Sequence, residues 1–98
     1  MTITTEEILA RLRSLKPEAA RLYRVRDLAL FGSVARDEQG LASDVDVLVD
    51  FADGADLLDQ VGLTLMLEER LGCAVDVVPR RALRPEIADS VLDSVVSV

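Results

Sequence analysis

The order of apolar and polar positions divides this chain into alternating helical and extended stretches. Ile8, Leu9, Leu12 and Leu15 recur at helical spacing behind Thr4-Thr-Glu-Glu7, a capping-box pattern with Thr4 at the N-cap. Ile3 and Ile8 sit where a hydrophobic staple places them. Pro17 interrupts the pattern, so a second helical turn or two is expected from Glu18 to Tyr23. Val25 to Phe31 reads as a strand with apolar residues on both faces, which suits the interior of a sheet. Gly32-Ser33 ends it, Val34 to Asp37 has room for no more than a short helical turn, and Asp37-Glu-Gln-Gly40 reads as a solvated loop.

Ser43 to Phe51 alternates as a second strand, and Ala52-Asp-Gly-Ala-Asp56 is turn chemistry with Asp56 or Asp53 as the next N-cap. Leu57 to Leu71 is the longest predicted helix. Its residues Leu57, Leu58, Val61, Leu63, Leu65, Leu67 and Leu71 cover an arc of roughly 200°, against the ~100° stripe that one core contact requires, and Met66 falls outside that arc. Either the helix is buried between the sheet and another helix, or part of the arc is covered by another chain. Gly72 ends it, Cys73 to Val78 forms a third strand, and Pro79 stops that strand. Arg80, Arg81 and Arg84 follow, and Pro85 opens a last helix with Ile87, Val91, Leu92 and Val95 on one face.

Composition narrows the field. Ninety-eight residues, half of them hydrophobic, suit a single domain over 1–98 with a core of Leu, Val, Ile and Ala. With 11 basic and 18 acidic residues the net charge is −7, which argues against a sequence-independent grip on DNA or RNA. A single nucleotide is still compatible, because a metal and a few donors meet its phosphates. Histidine is absent, which removes imidazole as a base or zinc ligand. The lone Cys73 excludes an internal disulfide, and no charged-then-apolar leader or run of about 20 apolar residues is present. We expect a soluble, cytoplasmic protein with no membrane contact.

The chemistry concentrates in Leu28 to Arg36 and Ser43 to Val49. Asp44 and Asp46 are two apart on a strand, so their side chains share one face while Val45, Val47 and Val49 share the other. Asp76 is flanked by Val75 and Val77 as Asp46 is by Val45 and Val47. If the long helix crosses over between neighbouring strands, Asp76 comes level with the Asp44/Asp46 pair. Three converging carboxylates repel one another unless cations lie among them, and hard oxygen donors suit Mg²⁺ or Mn²⁺. Two ions about 3.5–4 Å apart are the usual arrangement for in-line attack at phosphorus. An EF-hand fits poorly, because the residues alternate as a strand and no Glu lies at the required offset. In the bland alternatives the Asp pair is a solvated strand face or a dead site, and Gly32-Ser33 is a plain turn. Asp50 then reads as a strand-end surface charge, Arg80, Arg81 and Arg84 as charges at the approach to a helix, and Cys73 and Tyr23 as packing.

Leu30-Phe-Gly-Ser-Val-Ala-Arg36 followed by Ser43-Asp-Val-Asp-Val-Leu-Val49 resembles the Gly-Ser…Asp-x-Asp signature of the nucleotidyltransferase superfamily that includes DNA polymerase β. More closely it resembles the minimal nucleotidyltransferase (MNT) domains of prokaryotes, over essentially the whole chain. The resemblance implies an α/β fold of the polymerase-β kind, with a mixed three-stranded core sheet flanked by helices. It implies that Gly32 and Ser33 bind the β- and γ-phosphates of a nucleoside triphosphate. Arg36 either joins them or braces the loop. It further implies that Asp44 and Asp46 ligate the metals, and that Asp76 completes the set and helps deprotonate the attacking hydroxyl. Such domains are similar to the antitoxins of HEPN/MNT toxin–antitoxin pairs, which transfer AMP from ATP to a tyrosine of the HEPN toxin. One departure is Asp37, where the pattern often has Gly.

The expectation is therefore a Mg²⁺-dependent adenylyltransferase, with ATP as substrate, a HEPN-type toxin as partner and self-association left open. Two rivals are an antitoxin that neutralises by binding alone, and a nucleotidyltransferase acting on a small molecule such as an aminoglycoside.

Overall fold

A computed structural model describes residues 4–31, 45–83, 85–86 and 95–98. Helix α1 spans Thr5–Tyr23, with the Thr4 hydroxyl accepting from the Glu7 N–H at 3.1 Å. The expected break at Pro17 does not occur, and α1 passes through it as one helix. An interior proline costs a helix about 3 kcal/mol, but Leu15 and Ala19 are buried on either side of it. Pro17 itself faces solvent, so the ring meets no core side chain and the apolar stripe continues past it. Arg24, at φ 57°, closes the helix in the left-handed region.

Strands β1 (Val25–Phe31), β2 (Val45–Phe51), β3 (Val75–Pro79) and β4 (Val96–Ser97) form one sheet in the order β3-β2-β1-β4. β1 runs antiparallel to β2 and β4, whereas β2 and β3 are parallel, so the sheet is mixed. Among the described residues, the expected three-stranded core β3-β2-β1 is extended by the two-residue β4, which pairs with β1. Val95 was expected on a last helix, but it lies outside any helix and leads into β4. Pro85 and Glu86 are helical as expected, and Ile87, Val91 and Leu92 lie outside the described residues. The β-branched residues Val95, Val96 and Val98 suit a strand as well as a helix, and an open edge of β1 decides between them.

Between β1 and β2, Val25 pairs with Phe51 and Asp27 with Asp50, leaving Arg26 as a bulge. The extra residue shifts the alternation, so Val25 and Leu28, three apart, both point into the core. Helix α2 (Leu57–Leu71) connects β2 to β3. Asp56 and Asp59 form a reciprocal capping box at its start, and Gly72, at φ 73°, terminates it. Its core face is Leu63, Met66, Leu67 and Leu71, which places Met66 inside rather than off the apolar arc. Leu57, Leu58, Val61 and Leu65 face solvent instead.

Both helices cover the same side of the sheet, over Val25, Leu28, Leu30, Val45, Val47, Val49, Val75 and Val77. The other side of β2 carries Asp46, Leu48 and Asp50; neither α1 nor α2 packs there, but Leu48 is only 5% exposed and the 3-10 turn Arg80–Ala82 lies against β2. No helix among the described residues is long and apolar enough to cross a membrane.

Candidate active site

The alternation that sends Val45, Val47 and Val49 towards the two long helices sends Asp46 to the opposite face. The β2–α2–β3 connection makes β3 the parallel neighbour of β2, and Asp76 stands directly opposite Asp46 in the register. Adjacent strands are roughly 4.8 Å apart, so the two carboxylates project side by side from neighbouring backbones. Asp46 is half-buried and Asp76 exposed. On the other flank, Asp46 pairs with Phe31, the last residue of β1. In the sequence, Gly32 follows Phe31 and Asp44 precedes Val45. Gly32, Ser33, Arg36, Asp37 and Asp44 themselves lie outside the described residues.

Two hydrogen bonds hold the start of β3. Val45 N–H donates to the Ala74 carbonyl at 3.0 Å, and Val75 N–H donates to the Glu68 carboxylate at 3.2 Å. The second bond pins the residue before Asp76 to the last turn of α2. Glu68 was not singled out from the sequence, and only the three-dimensional course of the α2–β3 turn reveals its role.

The donor set on this face is oxygen only, which fits a hard divalent cation such as Mg²⁺ or Mn²⁺ and not a zinc site. Among the described residues no group of three His, Cys, Asp or Glu side chains converges on one position. Asp46 and Asp76 supply two carboxylates, and the third expected ligand, Asp44, lies outside the described residues.

Toward the opposite end of the same face, a cavity of about 200 Å³ lies over Leu48 and Ala29 and is walled by Asp27, Asp50 and Arg80. Asp27 and Asp50 are register partners, and Lys16 Nζ meets Asp27 at 2.8 Å. That contact with Lys16 holds the Asp27 carboxyl below its ordinary value. Partial burial opposes the effect, and the Leu28 N–H and the Arg80 charge reinforce it. The sequence reading treated Asp50 and Arg80 as unconnected surface charges. The four-residue spacing of Asp46 and Asp50 on one strand was the signal that both share the chemical face.

A family model described as the nucleotidyltransferase domain matches residues 12–98. The chain belongs to that nucleotidyltransferase family. It is 42% identical over 96 residues to the protein adenylyltransferase MntA of Thermococcus cleftensis, covering 98% of this chain and 97% of that one. A solved minimal nucleotidyltransferase superposes with a TM-score of 0.87 at 38% identity, over 98% of this chain and 97% of the other. A toxin–antitoxin structure with AMP-PNP gives a TM-score of 0.69 at 25% identity, over 97% of this chain and 72% of the matched one. These likenesses match the mixed α/β architecture and establish this nucleotidyltransferase as an enzyme of the transferase class. In the nucleotidyltransferase sheet described above, Asp46 is in register with Asp76 on one side and with Phe31, the last residue of β1, on the other.

Proposed function

We propose that the chain is the adenylyltransferase antitoxin of a two-protein system, transferring AMP from ATP to a tyrosine hydroxyl of a HEPN-type toxin. The observation that carries this reading is the register that sets Asp76 opposite Asp46, with the last residue of β1 on the other side. The name of the Thermococcus relative and the nucleotide analogue of the toxin–antitoxin relative support it.

Asp44, Asp46 and Asp76 are the residues that would hold Mg²⁺ or Mn²⁺. When bound, the divalent ions neutralise the phosphates and lower the pKa of the attacking hydroxyl. Backbone and hydroxyl donors at Gly32 and Ser33 take the β- and γ-phosphates, with Arg36 beside them. The acceptor oxygen attacks the α-phosphorus, the bond from that phosphorus to the bridging oxygen breaks, and pyrophosphate leaves with the electron pair. Asp76 takes up the hydroxyl proton, and its exposed position lets it return the proton to water.

Co-expression with the product of the neighbouring gene, followed by intact-mass measurement of both chains, tests the reading. AMP-sized increments on the partner, lost with Asp46→Ala or Asp76→Ala, are expected. A tightly bound but unmodified partner would replace the enzyme with an antitoxin that acts by binding alone. Modification of an aminoglycoside without any protein partner would favour the small-molecule rival.

A further inference from the structure

The cavity over Leu48 and Ala29 has no part in the metal and phosphate chemistry of the candidate site. Its volume of about 200 Å³ is below the ~300–1,000 Å³ of pockets that enclose a drug-sized ligand, so it suits one ring system and not a whole nucleotide. Asp27 is already engaged by Lys16 at 2.8 Å and by the Leu28 N–H at 2.9 Å. The Asp50 and Arg80 side chains, which also line the cavity, form no hydrogen bond or ion pair among the described residues. Their charges cancel, so the cavity favours an uncharged occupant over a phosphate or an ammonium group. Such an occupant presents a donor to Asp50, an acceptor to Arg80 and an apolar ring face to Leu48 and Ala29.

We propose that this cavity is the nucleobase subsite, in which Asp50 accepts from the exocyclic amine of adenine and Arg80 donates to a neighbouring ring nitrogen. The inference rests on the metal and phosphate roles proposed for Asp46, Asp76 and Gly32-Ser33, and it adds the groups that choose the base.

Position along the strand supports the assignment. Asp46, Leu48 and Asp50 share one face of β2. At about 3.3 Å per residue, Leu48 stands about 7 Å and Asp50 about 13 Å along the strand from Asp46. That span suits a ribose and a purine leading away from an α-phosphate held at Asp46. The line of attack runs in another direction. Phe31 and Asp76 are the register partners of Asp46 on its two sides, and Gly32 follows Phe31 in the sequence. Pyrophosphate leaving on the β1 side and a hydroxyl arriving beside Asp76 define a line across the strands. In an in-line displacement the ribose oxygen lies off that line, which leaves the direction along β2 for the nucleoside. An acceptor tyrosine fits the cavity poorly. Its oxygen must point to the α-phosphorus, so only carbon atoms would face Asp50 and Arg80.

Calorimetric titration of the full chain in Mg²⁺ provides the test, with three probes: ATP, the triphosphate of purine riboside (ATP without the exocyclic amine) and inorganic tripolyphosphate. The wild type is expected to bind ATP about tenfold to a hundredfold more tightly than the purine riboside analogue, the range of one hydrogen bond to a charged group. Asp50→Ala, with unchanged circular dichroism, binds the two alike. Arg80→Met weakens ATP several-fold and leaves tripolyphosphate unchanged. A wild type that does not distinguish the two nucleotides, or an Asp50→Ala chain that still does, overturns the subsite. So does an Arg80→Met chain that loses tripolyphosphate as much as ATP, because the guanidinium then serves the phosphates. Asp50→Ala that slows transfer but binds ATP as the wild type does gives the cavity to the acceptor and overturns it too. Asp46→Asn separates this failure from that of the underlying reading. Tripolyphosphate binding lost in Asp46→Asn upholds the metal roles whatever the base preference, whereas binding that survives overturns those roles and the subsite with them.

Discussion

Glu68→Ala removes the acceptor that anchors the residue before Asp76, and it is expected to cost both stability and transfer activity. The carboxylate takes the Val75 N–H at 3.2 Å, and Val75 is only 6% exposed, so water does not readily replace the lost acceptor. An N–H stranded in that position costs about 1–3 kcal/mol. Two gains oppose the loss. Alanine is the better helix former by a few tenths of a kcal/mol. An anion removed from the last turn of α2 relieves an unfavourable interaction with the helix dipole, worth about 0.3–1 kcal/mol. The net expectation is a loss of about 1 kcal/mol. Glu68→Gln keeps a carbonyl oxygen as acceptor and sheds the charge, so it should fall within about 0.5 kcal/mol of the wild type. Urea unfolding midpoints measure the global effect. Amide exchange at Val75 reads the local one, where a loss of about 1 kcal/mol speeds exchange about fivefold. Transfer activity should follow the order wild type, Gln, Ala. An alanine variant as stable as the wild type, with Val75 exchange unchanged, would refute the anchoring argument.

Three other outcomes are open to direct measurement. A Cβ added at Gly62 would overlap the Tyr23 ring at Cε1 and lie 3.0 Å from Cδ1. Gly62→Ala should therefore destabilise by about 1 kcal/mol in the wild type, from overpacking of about 1–3 kcal/mol less a helix-propensity gain of about 1, yet stabilise in a Tyr23→Ala background; denaturant titration of the four chains decides it. The Asp27 carboxyl sits below its ordinary 3.8 when folded, so its contribution is complete above 3.8 and fades as pH falls through the lower folded value. Its side chain is 57% exposed, so Lys16→Met should cost only a few tenths of a kcal/mol in urea midpoint at neutral pH, and nothing once the carboxyl is protonated. Mg²⁺ or Mn²⁺ added with ATP should raise the wild-type melting temperature, by about 2.7 kcal/mol of stability at a hundredfold excess over Kd, whereas Asp46→Asn should show no shift in scanning calorimetry.

The sequence was most legible where a residue acts locally. Thr4 and Asp56 cap their helices through their own side chains, and Gly72 ends α2 because it accepts a positive φ at no steric cost. Strand alternation placed Asp46 and Asp76 on one face because period two leaves no other choice once the valines are buried. Legibility failed where distant parts of the chain decide. Pro17 was read as a break because a local rule was applied without the burial of Leu15 and Ala19 around it. The wide apolar arc of α2 did not say which of its sides meets the sheet, and Met66 was assigned to the wrong one. The Val95 to Val98 segment is compatible with helix or strand until the edge of β1 is known. The Arg80 placement beside Asp27 and Asp50 depends on how the turn after β3 folds back over β2, which no spacing encodes.

In the order β3-β2-β1-β4, the strand bearing Asp76 is a sheet edge among the described residues, five residues long and ended by Pro79. Its remaining residues are Val75, Val77 and Val78, so the charge is what separates a valine run from an aggregation-prone template. Replacing Asp76 with an apolar residue would expose an uninterrupted valine edge to strand addition from other molecules. Asp76→Asn, which keeps the polarity while removing the charge, is the safer probe of chemistry, and any loss of soluble yield in Asp76→Val would report on the edge and not on catalysis.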